Sequence, residues 1–241
     1  MDFIAKLENI GNADACRRYI ELAGTAADRP QGQLPRQRSD LREGKRSQRA
    51  LLPSEIYDPV GEECFAAIKM AEALSTSFSL CERIAEGRKW KPETLRRLAL
   101  EGYLGWNDGK LAFIYDTGVK LRWRENGERI IRWAFGKPWI WRGAWLQPVE
   151  FVYLCESETD AISLLDAGIE EDARLVVVAM PSASTFKEDW VHLFRGKDVI
   201  LAFDNDDAGA EATERVGKLL WGHARLLNRL DWKGGQYAVR A

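Results

Sequence analysis

Two short apolar runs, each ending in carboxylates, constrain this chain more than any other feature in it. Leu201-Ala202-Phe203 runs into Asp204-Asn205-Asp206-Asp207-Ala208-Gly209, and Phe151-Val152-Tyr153-Leu154-Cys155 runs into Glu156-Ser157-Glu158-Thr159-Asp160. Each reads as a strand followed at once by a helix start. Open α/β sheets built of such units bind ligands just beyond the carboxyl ends of their strands. If the two strands are neighbours, their ends lie about 4.8 Å apart. Mg²⁺ is usually held by one or two carboxylates with waters and substrate phosphates, so acids at both ends suit it. Taken alone, each cluster reads as a helix cap, since Asp is a preferred N-cap and suits a first turn. The pair on matching strand ends points to a site.

The segment between about residues 150 and 230 resembles the Toprim domains of primases, topoisomerases and some nucleases, and most of all those of bacterial and bacteriophage primases. In that family one strand ends in Glu-Gly-x-x-Asp and a later one in Asp-x-Asp followed by Ala-Gly. Here the two read Glu156-Ser157-Glu158-Thr159-Asp160 and Asp204-Asn205-Asp206-Asp207-Ala208-Gly209. The resemblance implies that Glu156 is a general acid/base or a metal ligand, that Asp204 and Asp206 hold Mg²⁺ or Mn²⁺, and that Asp160 supports them. Ser157 stands where the family usually has Gly, and Gln236 where a further Asp is expected. Either the site works with fewer acids, or Asp231 substitutes, or the chain is impaired.

The implied fold class is α/β, a Toprim domain with a Rossmann-like, mainly parallel sheet, preceded by a smaller α+β basic subdomain. Strands are expected at Phe151–Cys155, Leu175–Met180, Val199–Phe203 and Ala224–Leu230. Helices are expected over Thr159–Ala167, more weakly over Phe186–Phe194, and over Ala208–Trp221. Pro181-Ser182-Ala183-Ser184 forms a small-residue loop facing the site.

Upstream, Leu111–Tyr115, Val119–Arg124 and Arg129–Trp133 alternate in strand fashion, separated by the hairpin turns Asp116-Thr117-Gly118 and Glu125-Asn126-Gly127. The alternation sets Lys120, Arg122 and Arg124 on one face, with Val119, Leu121 and Trp123 on the other. Arg132, Lys137 and Arg142 follow, interleaved with Trp133, Trp139, Trp141 and Trp145. Rings that stack bases and cations that hold phosphate suit single-stranded nucleic acid or nucleoside triphosphates. A meander with one buried and one solvated face gives the same pattern, and at least two of the four tryptophans are expected in the core. The position ahead of the Toprim-like segment is where primases keep a basic nucleotide-binding subdomain, which implicates Lys120, Arg122, Arg132, Lys137 and Arg142.

From Pro59 to about Trp106 the periodicity is helical, in Cys64–Ala71 and Thr94–Ala99, with Pro92 opening the second helix and Gly102 closing it. Residues 1–28 resemble the helical tail that follows a primase zinc ribbon, which implies that the start of the protein has been lost or cut away. Residues 29–52 read as a flexible basic linker. The expected organisation is therefore 1–28, 29–52, an α+β subdomain over 53–149 and a Toprim domain over 150–241.

Cys16, Cys64, Cys81 and Cys155 offer no Cys-x-x-Cys pair, and only His192 and His223 accompany them, so no zinc is expected and buried reduced thiols are the default. A net charge of −2 with 46% hydrophobic residues describes a soluble globular chain without a membrane span, read as cytoplasmic. No phosphate-binding Gly-x-x-x-x-Gly-Lys-[Ser/Thr] loop, Gly-x-Ser-x-Gly elbow or Gly-x-Gly-x-x-Gly turn occurs, which excludes a motor, a serine hydrolase of that type and a dinucleotide fold. The activity implied is primer synthesis on single-stranded DNA from ribonucleoside triphosphates, by a protein of phage or mobile-element origin with a replicative helicase as a further partner. A non-catalytic Toprim module that binds DNA or a partner, and a metal-dependent Toprim nuclease, are the alternatives.

Overall fold

The apolar spacing upstream of the sheets produces three helices: α1 (Glu62–Ser75), α2 (Phe78–Glu86) and α3 (Pro92–Leu100). The sequence pattern indicated two. Ser77, in an extended conformation, separates the first from the additional one. In this computed structural model the described residues are 61–147, 149–170, 172–231 and 235–238. The expected helical tail over 1–28 and linker over 29–52 lie outside them. Pro92 occupies the first turn of α3. Gly102, at φ 79°, ends that helix in a Schellman pair: its N–H donates to Ala99 O (3.0 Å) and that of Tyr103 to Leu98 O (2.9 Å).

A four-stranded antiparallel meander follows: β1 (Leu104–Asn107), β2 (Lys110–Tyr115), β3 (Gly118–Glu125) and β4 (Glu128–Gly136). The Asn126-Gly127 turn has both residues at positive φ, the geometry that matches strand twist in a two-residue hairpin. Asp108-Gly109 does the same between β1 and β2, a hairpin the sequence pattern did not reveal. One face of this sheet packs Ala112, Ile114 and Val119 on Met70 and Ala71 of α1. The other face is left for a cleft.

The second sheet contains β5 (Phe151–Cys155), β6 (Leu175–Ala179), β7 (Asp198–Ala202), β8 (Leu226–Asp231) and β9 (Gly235–Ala238). Its order is β6-β5-β7-β8-β9, with only β9 antiparallel. The sheet is mixed α/β and mainly parallel, as expected. Near-continuous apolar runs such as Phe151–Cys155 suit central parallel strands covered on both faces. Helix α4 (Glu158–Asp166) follows β5, and α5 (Asp207–Leu220) follows β7. The weak helical segment before β7 is a 3₁₀ stretch over Glu188–Phe194.

One apolar core runs through both parts of the molecule. Trp141 is fully buried at the junction, its indole N–H donating to Tyr103 O (3.0 Å) and its backbone N–H to Ala179 O (2.9 Å). Trp90 reaches α4 through a 2.9 Å hydrogen bond to Ser163, and the Lys91 N–H donates to Asp166 (2.7 Å). Trp139 and Trp141 are core residues, while Trp133 and Trp145 are partly buried. Cys81 and Cys155 are buried, but Cys64 is exposed on α1. No described helix is long and apolar enough to cross a membrane.

Candidate active site

Strands β5 and β7 are hydrogen-bonded neighbours whose last residues, Cys155 and Ala202, stand opposite each other. The chain leaves β5 toward β6 on one side of the sheet and returns to β7 on the other. This is a topological switch point, where the crevice beyond the strand ends is open to a ligand. Glu156 follows β5 directly into that crevice, and Asp204 follows β7 after Phe203.

The local sequence sets how each acid is held. Ser157 is the extended N-cap of α4, and its hydroxyl donates to Asp160 Oδ2 (2.6 Å). Asp206 is the N-cap of α5 and accepts the Gly209 N–H on Oδ1 (2.8 Å), so its capping role is realised. Burial, and then neighbouring negative charge, raises two of these carboxyls. Burial is the largest influence on Glu156, reinforced by the negative charge of Asp204 and Asp206 and opposed by a hydrogen bond from the Asp204 backbone. Burial and then Asp204 push Asp160 up to about 6, against the hydrogen bond from Ser157.

Glu156 Oε2 is buried and accepts no hydrogen bond. A buried acceptor without a donor is costly and calls for an ion, a water or a substrate group. Among the described residues no three His, Cys, Asp or Glu side chains converge into a complete metal cage. A small hard ion that keeps several waters does not need one, so the unsatisfied Glu156 oxygen beside Asp204 fits a Mg²⁺-type ion.

Glu156, Asp160 and Asp204 form one end of a cleft of about 1190 Å³ between the two sheets, with Asp206 outside its lining, and its other wall is basic. Lys120 and Arg122 line it. Arg88, Arg124 and Arg129 join them. Arg122 is lowered to about 10, first by burial and then by the positive charge of Arg88 and Arg129. Arg124 and Arg129 are paired directly across β3 and β4, an arrangement of like charges that weakens a hairpin. Sequence reasoning missed Arg88 because it lies in the turn between α2 and α3, where no strand alternation marks it. Arg129 sits at the start of a strand whose face only the β3 register defines.

The other basic residues singled out from the sequence sit elsewhere. Arg132 and Lys137 are exposed and outside the cleft lining, with Arg132 over the Trp123 ring at 6.0 Å. Arg142 is 3% exposed and bonded through both guanidinium arms to Glu170, at 2.7 and 2.9 Å, and to Val177 O at 2.7 Å. It holds the protein together and has no access to the cleft. Lys120 lines the cleft, yet its ammonium is paired with Glu158 and donates to Pro181 O (2.6 Å).

A family model described as Toprim-like matches residues 153–235. This segment is a Toprim-like domain. The zinc-binding and RNA polymerase domains of Aquifex aeolicus primase superpose with a TM-score of 0.50 at 17% identity, over 70% of this chain and 54% of that one. The primase fragment of the bacteriophage T7 primase-helicase protein gives 0.44 at 19% identity, over 59% and 62%. The primase domains bound to an RNA/DNA hybrid in a T7 lagging-strand DNA polymerase complex give 0.47 at 19%, over 62% and 80%. The chain thus spans less than two thirds of the T7 fragment and of the Aquifex structure. No curated protein matches the sequence.

Proposed function

We propose that this chain is the core of a primase-type nucleotidyltransferase that makes RNA primers on single-stranded DNA. The observation that carries the reading is the meeting of Glu156 and Asp204 at the β5/β7 switch point, facing a cleft whose opposite wall is cationic. Glu156, Asp204 and Asp206 are the residues that would hold Mg²⁺ or Mn²⁺, with Asp160 behind them. An ion bound there would orient the triphosphate and offset charge on the phosphate oxygens.

The protein's own groups divide the remaining work. Arg88, Arg122 and Arg129 hold phosphates of template or nucleotide, and Trp123 and Trp106 in the same cleft offer faces for bases. The primer 3′-oxygen bonds to the α-phosphate of the incoming nucleotide, the bond to the leaving pyrophosphate breaks, and a carboxylate takes the hydroxyl proton. Glu156, whose Oε2 has no hydrogen-bond partner, is the carboxylate placed for that acceptor role. Arg132 and Lys137 extend the positive surface outside the cleft. The domain division at residues 53–149 and 150–241, a phage or mobile-element origin, a cytoplasmic location and a replicative helicase as partner belong to the same reading. The fold shared with Aquifex primase supports the architecture it requires.

The absence of a three-ligand metal cage among the described residues favours a second reading, a module that binds DNA or a partner without chemistry. Incubating the protein with template, labelled ribonucleotides and Mg²⁺ or Mn²⁺, beside Asp204→Asn, separates the two. Incorporation that Asp204→Asn abolishes supports the primase. DNA binding without incorporation, unchanged by Asp204→Asn, supports the module, and template cleavage under the same conditions identifies a nuclease.

A further inference from the structure

Lys120 directs its ammonium into the protein. It is 4% exposed, pairs with the equally buried Glu158, donates to Pro181 O (2.6 Å) and lies over the Phe113 and Tyr115 rings at 5.7 and 5.9 Å. The Tyr115 hydroxyl donates to the same Glu158 oxygen. Strands β2 and β3, the first turn of α4 and the loop after β6 therefore meet at one ammonium and one carboxylate. Opposite Val119 and Lys120 the strand β4 carries one extra residue, Ala134, while β3 pairs with β2 without interruption. Lys120 stands opposite Phe113 in that uninterrupted pairing, which sets it on the same face as Phe113 and Tyr115 and toward Glu158.

A buried ion pair is a weak source of stability, because an apolar pair of similar volume often serves as well or better. What this pair supplies is register. Glu158 stands two residues after Glu156 and two before Asp160, so its directional contacts fix how the β5-to-α4 turn presents both acids. Arg122 adds a longer contact to the adjacent Thr159 (3.4 Å). We propose that Lys120, Glu158 and Tyr115 are positioning residues that lock the basic sheet onto the first turn of α4 and so aim Glu156 at a divalent cation. The inference rests on the reading of Glu156 and Asp204 as a cation site and assigns a role to three residues that are not its ligands.

The test compares the full chain with Lys120→Met/Glu158→Leu, which replaces the pair by apolar groups, and with Tyr115→Phe, which removes one hydroxyl. Three quantities are read: the melting temperature, Mn²⁺ affinity from the free-ion EPR signal, and amide exchange of residues 157–161. Positioning predicts a double variant that melts near wild type yet binds Mn²⁺ on the order of ten- to a hundred-fold more weakly, as when groups supporting metal ligands are lost. Exchange at 157–161 becomes faster, and Tyr115→Phe shifts affinity and exchange the same way by less. Wild-type Mn²⁺ affinity and unchanged exchange in the double variant would mean that the pair only adds stability, which overturns the proposal. If the double variant does not fold, Tyr115→Phe decides by the same two readouts. If wild-type protein binds no Mn²⁺, the cation reading fails, and exchange alone decides whether these residues register α4.

Discussion

The backbone carbonyl of Asp204 stands 2.0 Å from where a β-carbon on residue 209 would lie. Gly209 is therefore required by close approach, and its N–H is also the one that Asp206 caps. An added methyl has to push the Asp-x-Asp loop away from the end of β7. We expect Gly209→Ala to cost about 1–3 kcal/mol, in the range of an overpacked site, and to weaken Mn²⁺ binding. Denaturant unfolding beside a Mn²⁺ titration checks both. Wild-type values in each would show that the loop accommodates a side chain.

Arg142 and Glu170 form the opposite kind of pair, remote from the cleft and structural. Arg142 sits at φ 60° and Glu170 also accepts the Val177 N–H at 2.7 Å, so removing Glu170 strands a guanidinium and a backbone donor together. Glu170→Ala should destabilise the fold by about 3–5 kcal/mol, the cost of breaking a buried pair from one side. Arg142→Met/Glu170→Leu should recover much of that loss. Equilibrium urea unfolding gives both numbers, and a loss below about 1 kcal/mol would place the pair with surface salt bridges.

The contrast between Arg142 and Glu156 explains what could be read from the chain. Glu156 and Asp204 were visible because they come within two residues of the ends of the neighbouring strands β5 and β7, and a strand end determines where such an acid emerges; Asp206, two residues further on, is the N-cap of α5. Lys120 was singled out by alternation, which fixes a face, and Arg142 by its place among the basic and aromatic residues that follow, while their partners Glu158 and Glu170 are distant in sequence and carry no local signal. The 3₁₀ geometry of Glu188–Phe194 was missed for a related reason: apolar spacing alone does not distinguish it from an α-helix in a short segment.

Asp160 supplies a pH signature for metal-free protein. Its folded value of about 6 lies above the ordinary 3.8, so the folded state binds this proton more tightly than the unfolded state does. The associated stability is complete below pH 3.8 and is lost as pH rises through about 6. A rise of this size corresponds to at most about 3 kcal/mol, less to the extent that the half-buried carboxyl meets water. In EDTA, unfolding curves from pH 4 to 7 should show Asp160→Asn gaining on wild type as pH increases. A constant difference between the two proteins across that range would remove Asp160 as the source.

Arg129 faces Arg124 across the β3–β4 hairpin, a like-charge pair that stability alone disfavours. Such a pair makes sense if a polyanion visits the cleft, and it yields a prediction with opposite signs for stability and binding. Arg129→Thr should raise stability by about 0.2–1 kcal/mol by relieving the cross-strand repulsion. The same change should weaken binding to single-stranded DNA and lower the slope of log K against log salt by about 0.7, the amount expected when one phosphate contact is lost. Fluorescence anisotropy of a labelled oligonucleotide across a salt series, with thermal unfolding of both proteins, measures the two effects. An unchanged salt slope would place the nucleic-acid path away from this wall, whereas a lowered slope with increased stability would mark Arg129 as a residue kept for binding at a cost to the hairpin.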